Sequence, residues 1–254
     1  MAWFETLPLT AFAVVVLATL LTAAAIGYRG HLWLQNRRGE TASESHEHLL
    51  SAVLGLLALL LGFTFSLALD RYEARRELVV REANALDAAW LRAQLLEPPN
   101  RTEMSNLLRA YLDVRLAWSE ADTEADPLAR TVALRRALWA ATGKAIRSDP
   151  NPALSRALLD SMNESFDLAA ARRAARRAHV PDRVFTVLLI YALLSAAMLG
   201  YSSAAKRKPQ RIATVSVMVL LTLALVVILD VDRPRSGAIQ VSQLPLEELK
   251  GSWQ

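Results

Sequence analysis

The chain has 254 residues, 53% of them hydrophobic and 21% charged, with no cysteine. The apolar share exceeds the roughly 45–50% usual for soluble domains, and the missing cysteines exclude disulfides, thiolate zinc sites and cysteine nucleophiles. The net charge of +4 does not mark a nucleic-acid binder, because bases and acids are interleaved: Asp70–Arg183 holds 19 Lys or Arg against 17 Asp or Glu.

Four apolar blocks stand out in chain order: Leu7–Ile26, Leu49–Leu69, Val184–Ser202 and Ile212–Leu229. Each has 18 to 21 residues, about 27–32 Å of helix at 1.5 Å per residue, which matches a hydrocarbon core of about 30 Å. None contains Asp, Glu, Lys, Arg or His. Unpaired backbone groups are not tolerated in hydrocarbon, so each block is predicted to be a membrane-spanning helix. The first reads as a retained span rather than a secretory signal. Met1–Thr6 carries Glu5 and no Lys or Arg, and Ala23–Ala25 is its only cleavage-like feature.

The linker Tyr28–His48 is polar and expected to be partly disordered. His46-Glu47-His48, with Glu44 nearby, offers ligating side chains. Adjacent positions on a flexible linker rarely converge on one ion, so neither metal nor cofactor is predicted. The second block has no stop signal: no proline occurs between Leu49 and Leu96, before Pro98-Pro99. One helix of nearly 50 residues is expected there, leaving the membrane near Asp70. In the insert, Leu107, Tyr111, Val114 and Trp118 recur at helical spacing, then Leu128, Val132, Trp139 and Ile146, then Leu154, Leu158, Met162 and Phe166. Asp149-Pro150-Asn151-Pro152 is a break with capping potential. Ser203–Arg211 is short and basic, and no internal repeat supports an inverted-repeat transporter.

The expected fold class is therefore all-α and polytopic: four transmembrane helices with a helical-bundle insert between spans two and three. Residues 1–69 form the first helix pair, 70–183 the extramembrane helical domain, 184–230 the second pair and 231–254 an extended C-terminal tail. Orientation is left open. Arg29, Arg37, Arg38, Lys206, Arg207, Lys208 and Arg211 on the short linkers favour linkers in the cytoplasm. The insert is itself densely basic at both membrane ends.

On the second span, Ser51, Gly55, Leu59, Gly62 and Ser66 share one face, and the same face continues to Asp70 and Glu73. Two readings stand. Small residues allow close helix packing in lipid. Alternatively the stripe lines a pore, with Leu59 as an apolar constriction and Asp70 and Glu73 at the mouth, where acids favour cations. The run Asp70–Glu77 itself reads as a solvated helix with neighbouring ion pairs, or as an arginine ring attracting anions. No ionisable residue lies within a span to carry a proton relay. No phosphate loop, zinc-protease helix or serine elbow is present, so no enzyme is predicted.

Two stretches resemble a known family. They are Gly55-Leu-Leu-Ala-Leu-Leu-Leu-Gly-Phe-Thr-Phe-Ser-Leu-Ala-Leu-Asp-Arg-Tyr-Glu-Ala-Arg-Arg, with Glu82-Ala-Asn and Leu91-Arg-Ala-Gln-Leu-Leu, and Asp230-Val-Asp-Arg-Pro-Arg-Ser-Gly, with Val241-Ser-Gln and Pro245-Leu. Together they resemble the bacterial bestrophin-like family of membrane proteins. The resemblance implies a distant likeness to bestrophins, which are homopentameric ion channels with four spans per subunit and a helical region between spans two and three. Their second span lines an aromatic neck. Phe63 and Phe65 lie near the end of the second span here, but off the small-residue stripe. No run matches the acidic calcium clasp of animal bestrophins. Bestrophin topology would place termini and insert in the cytoplasm, opposite to the linker charge count.

The expected function is a homo-oligomeric channel in the lipid bilayer of a bacterial inner membrane, passing small inorganic ions passively. The resemblance suggests chloride, the acids cations. The competing expectation is a membrane-anchored sensory or scaffold protein whose insert binds a ligand or partner.

Overall fold

A computed structural model of the chain describes residues 7–38, 45–120, 125–148, 151–205, 211–234 and 237–253. Among them are eight helices: α1 (Leu9–Arg38), α2 (Ser45–Gln94), α3 (Asn100–Glu120), α4 (Ala125–Ser148), α5 (Pro152–Arg177), α6 (Asp182–Ala205), α7 (Arg211–Asp232) and α8 (Leu244–Ser252). No strand occurs among the described residues. Helices α1, α2, α6 and α7 each carry a segment long and apolar enough to cross a membrane. The chain is an all-α, polytopic integral membrane protein.

The chain divides into two compact units. Met1–Tyr72 with His179–Gln240 forms one, and Glu73–Ala178 with Val241–Gln254 the other. In the membrane unit α1 packs along α6, and α7 packs on both. Its core holds Phe12, Val16 and Leu20 from α1, Leu188, Ala192 and Ala196 from α6, and Met218, Leu225 and Ile228 from α7. Many aliphatic side chains that a soluble domain would bury, such as Val14, Ile190 and Leu220, point outward, as lipid permits.

The α1–α6 contact is made by small residues. A Cβ on Gly27 would lie inside the contact radius of the Ala197 carbonyl oxygen, and one on Gly200 would meet the Ala24 carbonyl in the same way. Lipid tails supply no hydrophobic drive between spans, so cohesion comes from such close backbone approach.

The extramembrane unit is a helical bundle around a conventional core. Val79 and Leu86 of α2 meet Met104, Leu108 and Tyr111 of α3, Leu138 of α4 and Leu158 and Met162 of α5. Asn151 caps α5, its side-chain oxygen accepting from the backbone N–H groups of Ala153 and Leu154, with Pro152 opening the helix.

Two expectations are corrected. The described parts of the linker after the first span are helix, since α1 continues to Arg38 and α2 begins at Ser45, while 39–44 lie outside the described residues. Tyr28–Arg38 contains no proline to stop α1. Residues 231–254 are not an extended tail throughout: Pro245 opens α8, and Leu246, Leu249 and Trp253 bury at helical spacing in the extramembrane core. The Trp253 ring stacks on Trp90 at 4.5 Å, its Nε1 donates to Asp87 at 3.3 Å, and its carbonyl accepts from Arg109 at 2.8 Å. The side chains of His46 and Glu47, Glu44, Asp149-Pro150 and Lys206-Arg207-Lys208 lie outside the described residues.

Candidate functional site

The small-residue stripe of the second span sits on a single unbroken helix, α2, which runs 50 residues. Within the membrane unit α2 buries Leu50, Leu57, Thr64 and Ala68. At about 100° per residue these positions fall on the helix face opposite the stripe. Ser51, Gly55, Leu59, Gly62 and Ser66 are all exposed in the protomer, Leu59 to 52%. A Cβ built on Gly55 or Gly62 meets nothing within 4 Å. Close packing of these residues against their own chain is therefore not what the stripe does. Phe63 and Phe65 are also exposed, at 66% and 40%, and flank the stripe.

Asp70, at the end of the span, is exposed. Glu73, one turn further along α2, is exposed too and lies 3.4 Å from Arg76, as Glu77 lies 3.8 Å from Arg81. The juxtamembrane run is thus partly the solvated ion-pair helix expected of it. Arg75 is the exception. It is buried, and its guanidinium donates to the carbonyls of Ala175 at 3.2 Å and Ala178 at 2.7 Å. It caps the C-terminus of α5, where the helix dipole favours a cation, and is turned away from any exposed arginine ring.

Sequence reasoning missed a buried ionic cluster in the extramembrane unit. Glu82 is fully buried, and Arg115 donates to it from Nε at 2.5 Å and Nη2 at 3.2 Å. Arg172 donates to the same carboxylate at 2.6 Å and also to the Gln243 side chain. Trp118 lies beneath the guanidiniums of Arg115, Arg172 and Arg176 at 4.6, 5.2 and 4.2 Å, the favourable geometry for cation–π attraction. Burial alone would raise the Glu82 pKa, but the two guanidiniums outweigh it and hold the carboxyl below its usual range. Burial pushes the neighbouring Tyr111 hydroxyl up to about 12. The available signal was positional. Val79, Glu82, Leu86, Ala89 and Ala93 follow a 3-4-3-4 spacing, which puts a carboxylate in a core register.

The Asp230-Val-Asp-Arg run likewise has a structural role. Both oxygens of Asp232 accept from the Val180 N–H, at 3.0 and 3.1 Å, just before α6. Asp230 accepts from the Ala238 N–H at 2.6 Å, and Arg233 donates to the Leu7 carbonyl at 2.8 Å. The Asp232 and Arg233 contacts tie the end of α7 to the segments entering α6 and α1, and Asp230 holds the chain that follows α7.

Four long apolar helices with a helical domain inserted after the second define a polytopic helical membrane protein whose second span leaves one face bare. The sequence matches a family described as Bestrophin-like domain over residues 15–246, so the chain belongs to the bestrophin-like family. Crystal structures of a bacterial bestrophin homolog from Klebsiella pneumoniae share the fold. One phased on zinc has 16% identity and a TM-score of 0.68, covering 94% of this chain and 95% of that one. Two single-residue variants give 16% and 0.68, covering 95% and 96% of the two chains, and 13% and 0.69, covering 95% and 97%. No curated protein matches the sequence significantly.

Proposed function

We propose that the protein assembles as a homo-oligomeric channel in a bacterial inner membrane, passing small inorganic ions down their gradient. Ser51, Gly55, Leu59, Gly62 and Ser66 of α2 line its pore. The observation that carries this reading is the bare stripe itself, which faces away from everything α2 packs against in its own membrane unit. Glycines and serines gain nothing from facing lipid tails, whereas a wet lumen hydrates their backbone and hydroxyls. Further copies of the chain are what would enclose such a lumen. Leu59 supplies the apolar constriction, and Asp70 and Glu73 stand at the mouth. The spans carry no ionisable side chain, which favours passive flow over proton-coupled transport. Bestrophins are ion channels, and membership of the bestrophin-like family adds to the same reading.

Selectivity has two opposed pointers, and the mouth supplies one. Its acids favour cations, while the bestrophin likeness points to chloride. The test is ion flux into liposomes holding the purified full chain, under imposed potassium and chloride gradients, with empty liposomes as control. A current whose reversal potential follows one ion is the expected result and fixes the selectivity. No flux from folded, oligomeric protein would instead support the sensory or scaffold role.

A further inference from the structure

The membrane unit holds a second feature, independent of the pore reading. Between α1, α6 and α7, at the end of the spans that carries the two short linkers, lies a groove of about 300 Å³. Its apolar lining includes Leu21, Ala24, Ala25 and Val215, and Arg29 and Arg211 stand among the residues around it. The groove exists because the helices meet there through small residues. Gly200 lies directly on the Ala24 backbone, and Ala25 adds only a methyl group beside it. None of the lining residues is acidic, and both arginines are exposed.

An apolar slot flanked by two permanent cations at a membrane boundary matches one kind of molecule in shape and charge. We propose that this groove binds an anionic diacyl phospholipid, its phosphate held between Arg29 and Arg211 and one acyl chain lying along Ala24, Ala25 and Val215. Guanidinium groups suit this role because their fork of N–H donors matches phosphate oxygens. Basic residues near a membrane surface attract anionic headgroups over zwitterionic ones. The bound lipid would fill the space that α1 and α7 leave between them and act as part of the packing of this unit.

The experiment uses the full chain in neutral detergent, titrated with phosphatidylglycerol, phosphatidylcholine or glycerol phosphate, and reads bound lipid by native mass spectrometry. Phosphatidylglycerol is expected to bind about tenfold or more tightly than phosphatidylcholine, with glycerol phosphate weak because it has no chain. Arg29→Gln with Arg211→Gln should abolish the preference, and Arg147→Gln, an exposed arginine of the extramembrane unit, should keep it. Ala25→Phe fills the groove while leaving both arginines, and it should lower binding of either lipid. This second variant decides the matter if the arginine pair fails to fold. Equal binding of the two lipids, a preference that survives the double variant, undiminished lipid binding by Ala25→Phe, or glycerol phosphate binding as tightly as the lipid would overturn the proposal.

Discussion

Two pairs of glycines on the membrane helices have opposite surroundings. Gly27 and Gly200 sit where α1 and α6 cross, each against the partner helix's backbone. Gly55 and Gly62 on α2 have open space where a side chain would go. A glycine in a helix lacks side-chain packing and costs roughly 0.5–1 kcal/mol relative to alanine. At the first pair that cost is offset by close contact between two spans. At the second pair nothing in the protomer offsets it. The difference teaches that small residues in a span do not all pack within the protomer, and that the bare ones mark a face left for something outside it.

Among the membrane helices the largest expected effect would test the crowded pair. Gly200→Leu pushes a side chain into the Ala24 backbone, which cannot rotate away. Overpacking of a core typically costs about 1–3 kcal/mol, and more where backbone is the obstacle. Purified protein should lose its monodisperse elution and melt well below the wild type. Gly62→Leu should leave the protomer's secondary structure and melting intact while reducing ion flux. Equal loss of folding in both variants would break the contrast.

The next effect tests how α2 is held beyond the membrane, where its own chain does cover it. Truncating one partner of a buried ion cluster costs roughly 3–5 kcal/mol, because the remaining charges stay buried and unpaired. Glu82→Ala should therefore strongly destabilise the extramembrane unit in a chemical melt. The pH dependence has a defined sign. The folded carboxyl is held below its unfolded value, so its contribution is complete above a pH of about 4.3 and is lost as pH falls through the folded value. Glu82→Gln should flatten that acid limb of the stability curve. An unchanged limb would show that the carboxylate is not the group responsible.

Much of this architecture was legible in the residues. The four spans follow from length and apolarity alone, because a bilayer sets both. The 50-residue α2 followed from the missing proline, and the α5 cap from Asn151-Pro152. What could not be read depends on which faces meet. Ala24, Gly27, Gly55, Gly200 and Gly62 are alike as sequence, and only the helix opposite separates the packed ones from the bare ones. Glu82 stands out in the sequence only as part of the family-like run Glu82-Ala-Asn, with no local sign of the partners that bury it. Its partners lie 33 and 90 residues away, beyond any local spacing rule. Helix α8 was missed because nine residues carry too little periodicity to stand out after Pro245, and its helix is stabilised by burial in a core built elsewhere.

Two smaller effects would sharpen the assignment of the bare face. Leu59→Ala removes most of a side chain that is already half exposed, so folding should change by no more than about 0.5 kcal/mol, as at ordinary surface sites. If Leu59 is the constriction, single-channel conductance should rise severalfold. Unchanged conductance would remove it from the ion path.

The mouth acids should give the smallest shift, and an unequal one. Glu73 shares its charge with Arg76 at 3.4 Å, so at a distance the pair is nearly neutral. No such ion pair to Asp70 occurs among the described residues. Asp70→Asn should therefore lower the cation-to-anion permeability ratio more than Glu73→Gln does, read as the change in reversal potential under a potassium chloride gradient. Both effects should grow at low salt, because screening extends over only about 10 Å at 0.1 M. A larger effect from Glu73→Gln would mean that Arg76 turns away in the assembled channel and that the ion path passes closer to the extramembrane unit. No effect from either would place both acids outside the path and leave selectivity to the serines and Leu59 of the span.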